Sequence, residues 1–165
     1  MSILDSAEDT KTQRRRVLKY FLIITLAVGA GASLFTEPAI PTWYAGLVRP
    51  AIAPPNWVFA PVWTTLYVVM AVAAWRVWAR TGWKSLEMLA WGIQLALNFA
   101  WSALFFTLHR MDLALGEIIL LDLAILYCTA LFFRRDRIAG LMMLPYLAWT
   151  MFATVLNNAF LALNG

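Results

Sequence analysis

Inside the apolar run "LALNFAWSALFF" stands one carboxamide, Asn98, and a helical turn before it a second, Gln94. Wound as a helix, Trp91, Gln94, Asn98, Trp101 and Phe105 recur at spacings of 3, 4, 3 and 4 and share one stripe. Tyr146, Trp149, Ala153 and Asn157 form a second stripe further along, and Trp63, Tyr67, Met70 and Ala74 a third. A carboxamide offers donors and an acceptor without charge, and an indole offers a flat apolar face with one N–H. Set around one space, these groups stack on a planar, largely apolar guest and orient its carbonyl or carboxylate groups. The structural alternative is that the amides join helices within a membrane, at about 0.6–2 kcal/mol each, and that the indoles form a headgroup belt. Trp57, Trp75, Trp78, Trp83 and Trp43 fit such a belt. The choice for the others depends on how the elements place them.

The chain has 165 residues, of which 62% are hydrophobic and only 13% charged, and its mean hydropathy is +0.71. A soluble domain carries about a quarter of its residues charged, so the deficit points to a bilayer as solvent. The charges fall between apolar runs at 18–36, 57–78, 86–107, 113–133 and 138–161. Each run covers about 30 Å of hydrocarbon at about 1.5 Å per residue, and backbone in hydrocarbon must satisfy itself. The expected fold is therefore an all-α membrane protein, a bundle of five transmembrane helices forming a single domain over 1–165, with residues 1–13 as a mobile tail. The segment "KTQRRRVLK" before the first run resembles the charged start of a signal peptide, but the apolar core runs on to Phe35 and reads as a span.

Lys11, Arg14, Arg15, Arg16, Lys19, Arg76, Arg80, Lys84, Arg134, Arg135 and Arg137 would share one side of this bundle, and Arg49 and Arg110 the other, an 11 to 2 division. The positive-inside rule then sets the N-terminus in the cytoplasm and the C-terminus outside. The formal charge of +4 reflects these basic ends and implies no nucleic-acid partner. A lone Cys128 within the fourth run excludes an intrachain disulfide and reads as a buried inert thiol. The first helix carries Ala27, Gly29, Gly31 and Ser33, small residues that permit close backbone approach within the bundle or between two chains.

The segment "TEPAIPTWYAGLVRPAIAPPN" between the first two spans holds five of the seven prolines, with Trp43 and Tyr44. Such a long, aromatic connection reads as a structured cap over one end of the bundle. If the outer boundary passes near Val58, Thr107 and Phe160, Trp63 lies about 8 Å below it, Trp101 about 9 Å, Asn98 about 13 Å, Trp149 about 16 Å and Asn157 about 5 Å. Those indoles are too deep for the belt. An aromatic pocket beneath the cap results, in which Asn98 orients a ligand or fixes the wall. Asp122, mid-span and without a basic residue at its depth, reads as a structural or oligomeric group or as a proton-coupling one. His109, the only histidine, has no companion for a metal site, although an axial contact to the metal of a bound porphyrin stays open. No phosphate loop, dinucleotide fingerprint or nucleophile elbow occurs.

Four stretches, "WYAGLVRPAIAPPNWVFAPVWTTLY", "QLALNFAWSALFF", "RMDLAL" and "PYLAWTMFATVLN", resemble the tryptophan-rich sensory protein and translocator protein family, the peripheral-type benzodiazepine receptors. The resemblance implies a homodimeric five-helix bundle with a ligand cavity under the first loop. It implies a membrane receptor or sensor for porphyrins such as protoporphyrin IX and other flat apolar ligands, with no cofactor required. Transport of a tetrapyrrole or sterol, and light-dependent porphyrin breakdown, are the alternatives it leaves. The family's cavity positions fall on Tyr44, Trp63, Asn98, Trp101, Trp149 and Ala153. The expected ligand-binding set adds Gln94 and Asn157, and Trp63 and Trp149 would act in porphyrin breakdown. Two departures stand out. "AIA" replaces bulkier residues between Pro50 and Pro54, and "NNAFLALNG" lacks the tyrosine and basic residue of a cholesterol pattern. The membrane expected is the bacterial inner membrane, with the outer membrane left open by the resemblance.

Overall fold

The computed structural model describes the backbone of residues 3–165 and side chains from Thr12 onward. Five helices carry the chain: α1 (Ile3–Thr36), α2 (Phe59–Thr81), α3 (Leu86–Ser102), α4 (Met111–Arg135) and α5 (Arg137–Asn164). No strand occurs among the described residues. Taken with the short helical turns that adjoin α2 and α3, the five helices form stretches of 22 to 28 residues long and apolar enough to cross a membrane. The ends run a few residues past the apolar runs because capping groups, not hydropathy, stop them. The mobility expected of residues 1–13 falls mostly on residues whose side chains lie outside this description.

The helices close a ring in which α1 packs on α2 and α3, α2 on α5, α5 on α4, and α4 on α3. Ala71, Ala73 and Ala74 of α2 are fully buried and bring its backbone close to its neighbours. Gly29 and Gly31 of α1 serve the same end. A Cβ on Gly29 would stand 2.5 Å from the Tyr67 ring, and one on Gly31 would stand 3.0 Å from Phe99. The small residues of α1 at these positions are thus spent within one bundle, seating an α2 and an α3 aromatic.

Local chemistry sets the turns. Gly82, at φ 73°, ends α2 in a conformation that L side chains resist, and Ser85 then caps α3 by accepting the Met88 N–H at 3.3 Å. Past Ser102, α3 widens into a π-helical turn over Ala103–Thr107 and stops at His109, a non-glycine residue at φ 52°. In α5, Pro145 lacks an N–H and leaves one intrahelical bond unmade, a break that membrane helices tolerate.

Asp136 is the whole connection between α4 and α5. Its carboxylate accepts the Ile138 and Ala139 N–H groups at 2.9 and 3.2 Å, capping α5, and binds Arg76 at 2.9 Å and Arg80, both from α2. Its side chain is 3% exposed. Burial alone would raise its pKa, but the Arg76 hydrogen bond, the Ala139 N–H and both guanidinium charges hold the carboxyl below the ordinary range. A depressed carboxylate pKa stabilises the fold above the unfolded value of about 3.9 and loses that contribution as pH falls through the folded value. Thermal unfolding in detergent should therefore show Asp136→Asn destabilised by about 1–3 kcal/mol at pH 7, the lower end reflecting half-exposed arginines. Repeating the scans from pH 6 to pH 3 should leave the difference unchanged above about pH 4 and narrow it below that, as the unfolded-state carboxyl, with a pKa of about 3.9, begins to protonate.

Candidate functional site: an aromatic cavity beneath the first loop

At the end of the bundle opposite Asp136 the ring of helices parts around a cavity of about 530 Å³. Trp63 of α2, Trp101 of α3 and Trp149 of α5 line it, with Phe59, Phe105 and Phe160 nearby. Each indole is held by a neighbour. Trp63 stacks on Tyr67 with centroids 5.6 Å apart, Trp101 on Phe105 at 5.1 Å, and Trp149 meets Phe59 edge-on at 5.9 Å.

Asn98 closes the floor. Its Oδ1 accepts the Tyr67 hydroxyl proton at 2.6 Å, and its Nδ2 donates to the Tyr146 hydroxyl at 3.1 Å. One carboxamide thus joins α2, α3 and α5. Asn157 does similar work higher up. Its Oδ1 accepts from Trp101 Nε1 at 3.1 Å, and its Nδ2 donates to the Met111 carbonyl at 2.9 Å. Both amides therefore hold the wall. The indole N–H of Trp149 is buried and has no partner within the protein.

Residues 37–58 run over the open end. The Val48 N–H donates to Asn164 Oδ1 at 2.8 Å, and Asn164 Nδ2 donates back to the Val48 carbonyl at 3.1 Å. Trp43 stacks on His109 with centroids 4.2 Å apart, and Tyr44 lies buried between Phe106 and Phe160. Burial pushes the Tyr44 hydroxyl above its usual pKa, and the Arg49 cation, 5.8 Å from its ring centroid, pulls the other way. Arg49 also donates to Asn56 Oδ1 and to the Pro54 carbonyl, both at 2.8 Å. On the flank, Ala30 of α1 and Ala60 and Thr64 of α2 line the cavity and are also exposed, so the space reaches the surface between these helices.

Seven of the residues expected from sequence meet in this cavity: Tyr44, Trp63, Asn98, Trp101, Trp149, Ala153 and Asn157. Gln94 does not line it. Its amide is fully buried one turn below Asn98, donating to Met70 Sδ at 3.3 Å and to the Trp91 carbonyl at 3.0 Å. The stripe continues past the floor that the two tyrosines close, which helical phase alone does not reveal. His109 is exposed and off the cavity wall, with its ring on Trp43. Asp122 lies between α4 and α5, where it accepts the Thr154 hydroxyl proton at 2.7 Å. Gly29 and Ser33 of α1, and Ile118 and Leu121 of α4, complete the lining. Gly29, Ile118 and Leu121 bear no polar or aromatic signal, and the Ser33 hydroxyl is turned back onto its own helix at the Ala30 carbonyl, 2.8 Å away.

The model of the TspO/MBR family matches residues 21–163. The chain belongs to the TspO/MBR family. It is 39% identical over 144 residues to the tryptophan-rich protein TspO of Archaeoglobus fulgidus, covering 87% of this chain and 94% of that one. The tryptophan-rich sensory protein of Cereibacter sphaeroides is 36% identical, over 87% of this chain and 90% of its own. The human translocator protein is 39% identical over 119 residues, 70% of each chain. As a TspO/MBR member with five membrane-length helices, the protein is an integral membrane protein.

The floor makes a testable demand. Asn98→Ala leaves two buried hydroxyls short of a partner and should lower stability by about 1–3 kcal/mol, read as a drop in thermal midpoint in detergent. Gly29→Ala should also lower it, because the new methyl displaces the Tyr67 ring that Asn98 bonds.

Proposed function

We propose that this protein is a membrane receptor for porphyrins of the protoporphyrin IX type and for other flat apolar ligands. The observation that carries the proposal is the cavity itself, an apolar space of about 530 Å³ with three fixed indoles in its wall. Its volume falls in the range of about 300–1,000 Å³ typical of small-molecule sites. A conjugated ring gains area and stacking from indole faces without any buried charge to offset. Arg49, tied to the lining residue Asn56, holds a cation at the rim where acidic side arms of a ring would emerge.

In this reading residues 37–58 are a cap, pinned by Val48 to Asn164, and ligand reaches the cavity from the bilayer between α1 and α2. A receptor is favoured over a transporter because, among the described residues, no helix is split into two half-helices at mid-depth to form an alternating-access site. The reading includes a homodimer, on the family likeness. It also includes a cytoplasmic N-terminus in a bacterial inner membrane, on the 11 to 2 division of basic residues.

Titration of the detergent-solubilised protein with protoporphyrin IX in the dark, followed by tryptophan quenching and porphyrin absorbance, tests the proposal. Wild type should bind saturably. Ala153→Phe, which fills the cavity from α5, should weaken binding by about tenfold or more, equivalent to about 1.4 kcal/mol. Non-saturable quenching, or equal quenching in the variant, would show partition into the micelle and would refute a cavity site.

A further inference from the structure

A second concave site lies at the opposite, basic end of the bundle. Trp83, Lys84, Leu86, Leu89, Trp91 and Gly92 line an open groove of about 610 Å³ along the first turns of α3. Its shape is held from behind. Phe21 of α1 stacks on Trp83 with centroids 5.0 Å apart and meets Trp91 edge-on at 5.1 Å, so both indoles have set orientations. Gly92 leaves the groove open, since a Cβ built there meets no atom within 4 Å.

Three features select an occupant. Lys84 is exposed and makes no ion pair among the described residues, while the nearby carboxylates are neutralised by other cations, Glu87 by Arg135 and Asp136 by Arg76 and Arg80. Trp91 is 6% exposed and meets Phe21 edge-on, so the inner wall of the groove is a fixed indole. Trp83, Leu86 and Leu89 are 50%, 52% and 60% exposed, an apolar strip beside the cation. The site thus combines a free positive charge at the start of a helix with a rigid apolar trough at the boundary of the spans.

We infer that this groove binds one anionic glycerophospholipid from the leaflet at the basic end. Its phosphate lies against Lys84 and the start of α3, and an acyl chain follows Leu89 and Gly92. A zwitterionic lipid gains the same trough but carries its own cation beside the phosphate, so Lys84 distinguishes the two. The inference is independent of what fills the cavity under the first loop.

Native mass spectrometry of the full chain, equilibrated with equal amounts of phosphatidylglycerol and phosphatidylcholine of identical acyl chains, tests it. Wild type should retain one phosphatidylglycerol with about fivefold preference, the factor expected of one lysine at a membrane surface. Lys84→Gln should reduce that preference to near unity. Gly92→Leu, which fills the trough without meeting a neighbour, should abolish retention of either lipid. Both positions are exposed, so the thermal midpoint of each variant should match wild type. Equal retention of the two lipids by wild type, or a preference unchanged in both variants, would overturn the inference.

Discussion

The bond pair at Asn98 is the constraint on which the rest of the bundle depends. A carboxamide and two phenolic hydroxyls are buried together, and each finds its partner in the others. That arrangement sets α2, α3 and α5 at a common height. It also sets what α1 must supply, because the Tyr67 ring occupies the space a side chain on Gly29 would need. Below this level the interior is filled by Met70, Met143, Ile125 and Phe132, all fully buried. Above it the helices part, and the aromatic rings line a space instead of filling one.

The two ends of the molecule answer different physical demands. At the basic end, Asp136 gathers two arginines and the first amides of α5 into one site, locking the α4–α5 turn to α2. The cations left over there, Lys84 among them, stay exposed. At the other end, only Arg49 and Arg110 carry positive charge among the connections, and Arg110 is occupied by Asp112 at 2.6 Å. The loop at that end is held instead by proline stiffness, aromatic stacking and the paired bonds between Val48 and Asn164. Such a closure can be opened without breaking a buried ion pair, whereas the basic end cannot.

Four polar side chains within the spans have distinct uses. Asn98 and Asn157 brace the cavity wall, Gln94 stabilises packing beneath the floor, and Asp122 joins α4 to α5 through Thr154. On the proposed function, recognition in the cavity rests mainly on shape and stacking against its indoles, and a site of that kind accepts many flat molecules.

Hydropathy and charge placement determine the number of spans, their extents to within a few residues and the partition of basic groups, because the bilayer imposes length and polarity on each segment separately. Helical phase likewise assigned Trp63, Asn98, Trp101, Trp149 and Asn157 to inward faces. Phase is a property of one helix, however, and cannot say where a neighbour closes the space. That is why Gln94 shared the stripe but lies under the floor, and why Tyr146, itself on a recognised stripe, gave no sign of being a partner of Asn98. Gly29, Ile118 and Leu121 were invisible as lining residues because glycine and aliphatic side chains look the same whether they pack or border a cavity. Those assignments depend on distances between helices, and only the tertiary structure sets them.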